Sequence, residues 1–158
     1  MKHYKLNTTF QSVLADTITP VSVYLKIRDK FPNSILLESS DYHASDNSFS
    51  YICCNPIASF KVENNQIITQ FPDGRIENRI IDKTVSVPNE MTQFIQKFEV
   101  SGPDLKFAYN GLFGFTSYDG VRYFEKITIN PKENSLAIPE MYYAIYQNVI
   151  AINHFKNE

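Results

Sequence analysis

Two short stretches carry the side chains best suited to holding a small polar ligand. One is Leu36-Leu37-Glu38-Ser39-Ser40, where an apolar run stops on a carboxylate and two hydroxyls; the other is Ser50-Tyr51-Ile52-Cys53-Cys54, reached after a polar loop. Such a run is either a strand leaving the core for water or the polar wall of a small pocket, and the residue types leave both readings open. The pocket reading has a definite chemistry. A zwitterionic amino acid needs an anionic or carbonyl partner for its ammonium, hydroxyl or N–H donors for its carboxylate, and an apolar wall for its side chain. Glu38, Ser39 and Ser50, with Leu37 and Tyr51 beside them, supply that set if the two strands are neighbours.

Other chemistry finds less support. His3, His43 and His154 stand far apart with no HxH or CxxC spacing, so no metal site is expected. Cys53 and Cys54 are neighbours, and a conventional disulfide spans ~4.4–6.8 Å between Cα atoms, more than the ~3.8 Å available, so two buried thiols are expected. A thiolate paired with a distant histidine would be nucleophilic, but a cysteine within a β-type run fits a core better. Gly111 and Gly114 lack the lysine of a P-loop and the third glycine of a dinucleotide fingerprint, and instead suggest a strand with a close backbone approach. Asp119 and Glu125 bracket Arg122, as on a salt-bridged helix surface. No catalytic constellation emerges.

The elements that must position these residues follow from pattern. Thr19-Pro20 is an N-cap followed by proline at the first helical position, and Val21, Tyr24, Leu25 and Ile27 continue at helical spacing, which predicts a helix over 20–30. Strands are predicted at about 34–39, 49–54, 58–63, 66–71 and 75–81, with tight turns at Asn64-Asn65 and Phe71-Pro72-Asp73-Gly74 joining the last three into an antiparallel meander. Met91, Phe94, Ile95 and Phe98 predict an amphipathic helix over 88–99. Residues 111–125 read as a glycine-punctuated strand that passes into a short helix after Asp119, and residues 140–158 as a long strand rich in Tyr, Ile and Val. The fold class expected is α+β, with a mostly antiparallel sheet and two or three helices in one domain.

Composition narrows the function classes. The 158 residues carry a net charge of −2 and no run of Lys or Arg, which argues against a nucleic-acid surface. No apolar run approaches the ~18 residues of a membrane span, and the N-terminus lacks a signal-peptide core, so a cytoplasmic protein is expected. The long apolar strand at the C-terminus suggests one part of something larger, because such a strand is ordinarily paired or protected.

The motifs resemble, in order, those of the large subunit of anthranilate synthase, a chorismate-using enzyme family. Thr19-Pro20 before a helix, Leu36-Leu37-Glu38-Ser39, Ser50-Tyr51-Ile52-Cys53-Cys54-Asn55-Pro56, the stretch NGLFGFTSYDGVRYFE and the stretch IPEMYYAIYQNVIAINHFKN are each similar to a segment of that family's N-terminal region. The resemblance implies that residues 1–158 are an N-terminal regulatory domain, with Leu37, Glu38 and Ser39 lining an L-tryptophan feedback site and Ser50 beside them. It implies further that catalysis, chorismate and Mg2+ belong to a C-terminal domain absent from this chain, which then holds no cofactor and no catalytic residue. A glutamine amidotransferase subunit is the implied partner. The sister subunit of aminodeoxychorismate synthase, or a ligand-free scaffold for the catalytic domain, are the alternatives. The chain departs from the family pattern at Cys53, where glycine is usual, at Ser48 (arginine), at Asn153 (aspartate), and at Asn110 and Phe115 (glycine and tyrosine).

Overall fold

A computed structural model of the chain describes residues 2–38, 48–127, 129, 138–156 and 158. The elements are β1 (Tyr4–Asn7), α1 (Pro20–Ile27), β2 (Ile35–Leu37), β3 (Phe49–Glu63), β4 (Gln66–Gln70), β5 (Ile76–Ile80), α2 (Val87–Ile95), β6 (Phe98–Ser101), β7 (Phe113–Thr116), a 3-10 helix (Tyr118–Tyr123) and β8 (Met141–Asn153). The larger sheet has the order β5-β4-β3-β8-β7, with β2 pairing β3, and β1 pairs β6 in a second sheet. With antiparallel β2–β3, β3–β4, β4–β5 and β7–β8 pairs and three helices among the described residues, the architecture is the α+β class expected.

The chain divides into two compact units. The first comprises Met1–Leu6, Ile57–Glu99 and Leu112–Ile145. Here β3 turns into β4 through Asn64 and Asn65, both left-handed (φ 50° and 59°), a turn whose twist matches that of the strands it joins. β4 turns into β5 through Pro72-Asp73-Gly74, where Gly74 takes φ 81° and donates its N–H to the Phe71 carbonyl at 2.9 Å. Alternate residues Ala58, Phe60 and Val62 face the core with Ile67, Phe71, Met141 and Ile145, and α2 closes over them with Val87 and Phe94. Phe94 packs at 5.9 Å from the Phe60 ring and 5.5 Å from that of Phe71. Gly114 has its reason in β8: a Cβ there would stand 1.9 Å from the Tyr142 carbonyl oxygen, so only glycine permits the β7–β8 approach.

The pattern over 111–125 divides as expected into a strand and a short helix. The ion pair of Arg122, however, is with Glu140 at the start of β8, not with Asp119 or Glu125, and the Tyr123 hydroxyl donates to the same carboxylate at 2.6 Å.

The second unit comprises Asn7–Pro56, Val100–Gly111 and Tyr146–Glu158. α1 begins as the sequence indicates: Thr19 Oγ1 accepts from Ser22 N at 3.1 Å, and Ser22 Oγ accepts from Thr19 N at 3.1 Å, satisfying two otherwise orphaned donors.

A candidate ligand site on β2 and β3

Two tyrosines of the second unit fix where β2 begins. Tyr24 of α1 donates its hydroxyl to the Ser34 carbonyl at 3.4 Å, and Tyr146 of β8 donates to the Asn33 carbonyl at 3.1 Å. Asn33 is left-handed (φ 61°), which turns the chain from α1 into the strand. β2 then runs antiparallel to β3 with Ile35 opposite Cys53, Leu36 opposite Ile52 and Leu37 opposite Tyr51. The two strands are neighbours, the condition that the pocket reading required.

Alternation along β3 sorts the side chains into two sets. Phe49 and Tyr51 share one face, their rings stacked at 6.1 Å, with Phe107 at 5.3 Å from Phe49. Leu37, half-buried and directly across from Tyr51, belongs to that face. Ser50 and Ile52 point the other way. Ser50 is fully buried, with its hydroxyl 2.7 Å from Nε2 of His154, and the His154 backbone N–H donates to the Ser48 carbonyl at 3.0 Å. One residue at the end of β8 therefore grips the start of β3 from two directions.

Of the expected ligand residues, Leu37 and Tyr51 are brought together, Glu38 follows them exposed to solvent, and Ser50 has its hydroxyl engaged by His154. Ser39 lies outside the described residues, as does the loop that follows it. The Ser50–His154 pair has no counterpart in the sequence reading, where His154 is an ordinary histidine; the two are 104 positions apart and no spacing rule links them.

Electrostatics supports an apolar wall rather than reactive groups. Burial pushes the Tyr51 phenol up, against a backbone hydrogen bond with Ala108 that pulls it down. Cys53 and Cys54 are free and buried, as expected; burial, and then the neighbouring thiol, push Cys53 up to about 12. Burial also raises Cys54, opposed by a hydrogen bond with Asn148. Neither thiol is activated as a nucleophile. Among the described residues no three His, Cys, Asp or Glu side chains converge as metal ligands, and no helix is long and apolar enough to cross a membrane.

Two of the departures from the family pattern have visible local roles. Asn153 is buried, and its Oδ1 accepts from the backbone N–H groups of Phe155 and Lys156, both at 2.9 Å. Asn110 accepts from the Thr8 hydroxyl at 2.9 Å and leaves its own amide nitrogen buried without a partner.

No family model matches the chain. Anthranilate synthase component 1 of Lactococcus lactis is 31% identical over 151 residues, covering 91% of this chain and 29% of that protein. The component 1 of Thermus thermophilus is 28% identical over 147 residues, covering 93% of this chain and 30% of that protein. This chain is homologous to anthranilate synthase component 1. It spans about three tenths of the length of these curated relatives. Component I of Streptococcus pneumoniae, known from its crystal structure, aligns with a TM-score of 0.49 at 23% identity, covering 96% of this chain and 31% of that one.

Proposed function

We propose that this chain is the regulatory part of an anthranilate synthase component 1, contributing to an L-tryptophan feedback site through Leu37, Glu38, Ser39 and Ser50. The observation that carries the reading is similarity to two proteins of that name over nine tenths of the chain but only three tenths of theirs. The antiparallel pairing of β2 with β3 supports it locally, because it sets the apolar Leu37 and Tyr51 side by side at the strand end from which Glu38 follows. In this reading the Glu38 carboxylate takes the ammonium of the inhibitor, the Ser39 hydroxyl donates to its carboxylate, and Leu37 meets its ring. Ser50 supports the site from beneath.

The remaining parts of the machine lie elsewhere in this proposal. Chorismate and Mg2+ are held by a catalytic domain, a glutamine amidotransferase subunit delivers nitrogen, and the assembly works in the cytoplasm. The chain alone turns over no chorismate. Tryptophan inhibits by binding one arrangement of the domains more tightly than another, a coupling of typically ~1–3 kcal/mol.

Titration calorimetry with L-tryptophan, and with L-phenylalanine as control, tests this. Saturable, tryptophan-selective heat that disappears in the Glu38→Ala, Ser39→Ala double variant is expected. Absence of binding by the chain, together with unaltered tryptophan inhibition when Ser39→Phe is placed in the enzyme reassembled with its catalytic domain, would overturn it.

A further inference from the structure

β5 is the last strand at one end of its sheet, and each of its residues, Ile76-Glu77-Asn78-Arg79-Ile80, is exposed. Ile76 and Ile80 stand out: they are 60% and 68% exposed, unusual for isoleucine on a strand. Natural edges are ordinarily guarded by short length, charged side chains, proline or a bulge. β5 is short and carries Glu77 and Arg79, one charge of each sign, but it has no proline, no lysine and no left-handed residue.

The backbone phase of this edge follows from two bonds. Phe71 N–H donates to the Arg75 carbonyl, and Ile81 N–H to the Asn65 carbonyl, both at 2.9 Å. With the register Thr69 opposite Glu77 and Ile67 opposite Arg79, the alternation of an antiparallel ladder turns the N–H and C=O groups of Glu77 and Arg79 toward β4. Those of Ile76, Asn78 and Ile80 point to the open edge.

We propose that β5 is a self-association surface on which a second copy of this chain pairs antiparallel, with the two-fold axis at Asn78. In that register Asn78 faces Asn78 of the second copy and Ile76 faces its Ile80. Each of these pairs uses the outward backbone groups, exchanging both hydrogen bonds. Glu77 meets Arg79 of the second copy in the closer, non-hydrogen-bonded pairing, so opposite charges coincide twice around the axis. The sequence of the strand is thus complementary to itself in charge and in apolar character. Glu77 and Arg79 both lie on the face toward α2, where Arg79 pairs with Glu90 at 2.6 Å and Glu77 with Arg75 at 3.1 Å and Lys97 at 3.3 Å, so the new contacts extend an existing ionic network. A five-residue strand buries less than the ~800 Å² per partner of a standard interface, so the dimer forms over roughly 10 μM to 1 mM.

Sedimentation equilibrium across that range, with thermal melts to confirm folding, is the test. Asn78→Pro removes an N–H that β4 does not use and should weaken association by about tenfold or more while leaving the melt in place. Glu77→Arg and Arg79→Glu each set like charges against one another and should be monomeric alone. Mixed, they restore both opposite pairs and should associate. A wild-type chain that stays monomeric at about 1 mM, a dimer undiminished in Asn78→Pro, or folded charge variants that fail to associate on mixing would each overturn the proposal.

Discussion

Along the single strand β3 the chain passes from a segment that buries Ser50, Ile52 and Cys53 to one that buries Ala58, Phe60 and Val62. The second segment belongs to a unit whose interior is a packed set of rings and aliphatic side chains, with Phe60, Phe71 and Phe94 all essentially inaccessible. The first belongs to a unit in which a serine hydroxyl meets an imidazole and an asparagine ties back its own chain end. Apolar packing is non-directional, and its worth scales with the area removed from water. A hydrogen bond is directional, and its loss strands whichever partner is buried, here the Ser50 hydroxyl. The first unit should therefore respond to changes of volume, and the second to the loss of one polar atom.

The contrast can be broken by mutation. Phe60→Ala should cost about 3–5 kcal/mol in urea unfolding, while Phe60→Leu, which keeps much of the volume, costs far less. Ser50→Ala removes few atoms and should cost about 0.5–1.5 kcal/mol, the net worth of one hydrogen bond, because the exposed His154 ring can turn to water in its place. If the Ser50 change cost as much as that at Phe60, or nothing, the distinction between the units would fail.

Smaller changes sharpen it. Thr19→Ala, which removes the hydroxyl that accepts from Ser22 N but leaves the reciprocal bond from Thr19 N to Ser22 Oγ, should cost about 1 kcal/mol and leave the first unit's hydrogen-exchange protection unaltered. The smallest effect is at the surface of the first unit. The hydrogen bond from Lys2, aided by the Arg75 backbone and Tyr4, holds the Asp73 carboxyl down to about 2 against its ordinary 3.8. A folded value below the unfolded one means that this contribution is present above about 4 and fades as pH falls toward 2. Melting temperature should accordingly fall less steeply with acid in Asp73→Asn than in the wild type, and added salt should narrow the gap.

Much of this fold is legible in the residues because its signals are local. Thr19-Pro20 caps α1, Asn64-Asn65 and Pro72-Asp73-Gly74 turn the meander, and Gly114 marks a close approach, each through the conformational rule that predicts it. The misreadings share a different origin. The spacing of Met91, Phe94, Ile95 and Phe98 suggests a helix to 99, yet α2 ends at Ile95 because Phe98–Ser101 is recruited by β1, a short strand that no local pattern announces. Asn55-Pro56 looks like a break between strands, whereas β3 runs through it with Asn55 left-handed at φ 61°, absorbing the irregularity without ending the ladder. The candidate site divides the same way: the pairing of β2 with β3 follows from the polar loop between two apolar runs, but the engagement of Ser50 by His154 depends on where β8 ends, which only the assembled sheet determines.

The Asn64-Asn65 turn also bears on the order in which the chain acquires its structure. Neighbouring strands joined by two residues meet at little entropic cost, on a timescale of ~1–10 μs for a hairpin, whereas Ser50 and His154 must close a separation of 104 positions. The meander is thus the natural nucleus and the imidazole contact a late event. Stopped-flow kinetics of Ser50→Ala should then show an unaltered refolding limb and faster unfolding. On that outcome the Ser50–His154 contact slows unfolding rather than speeding folding.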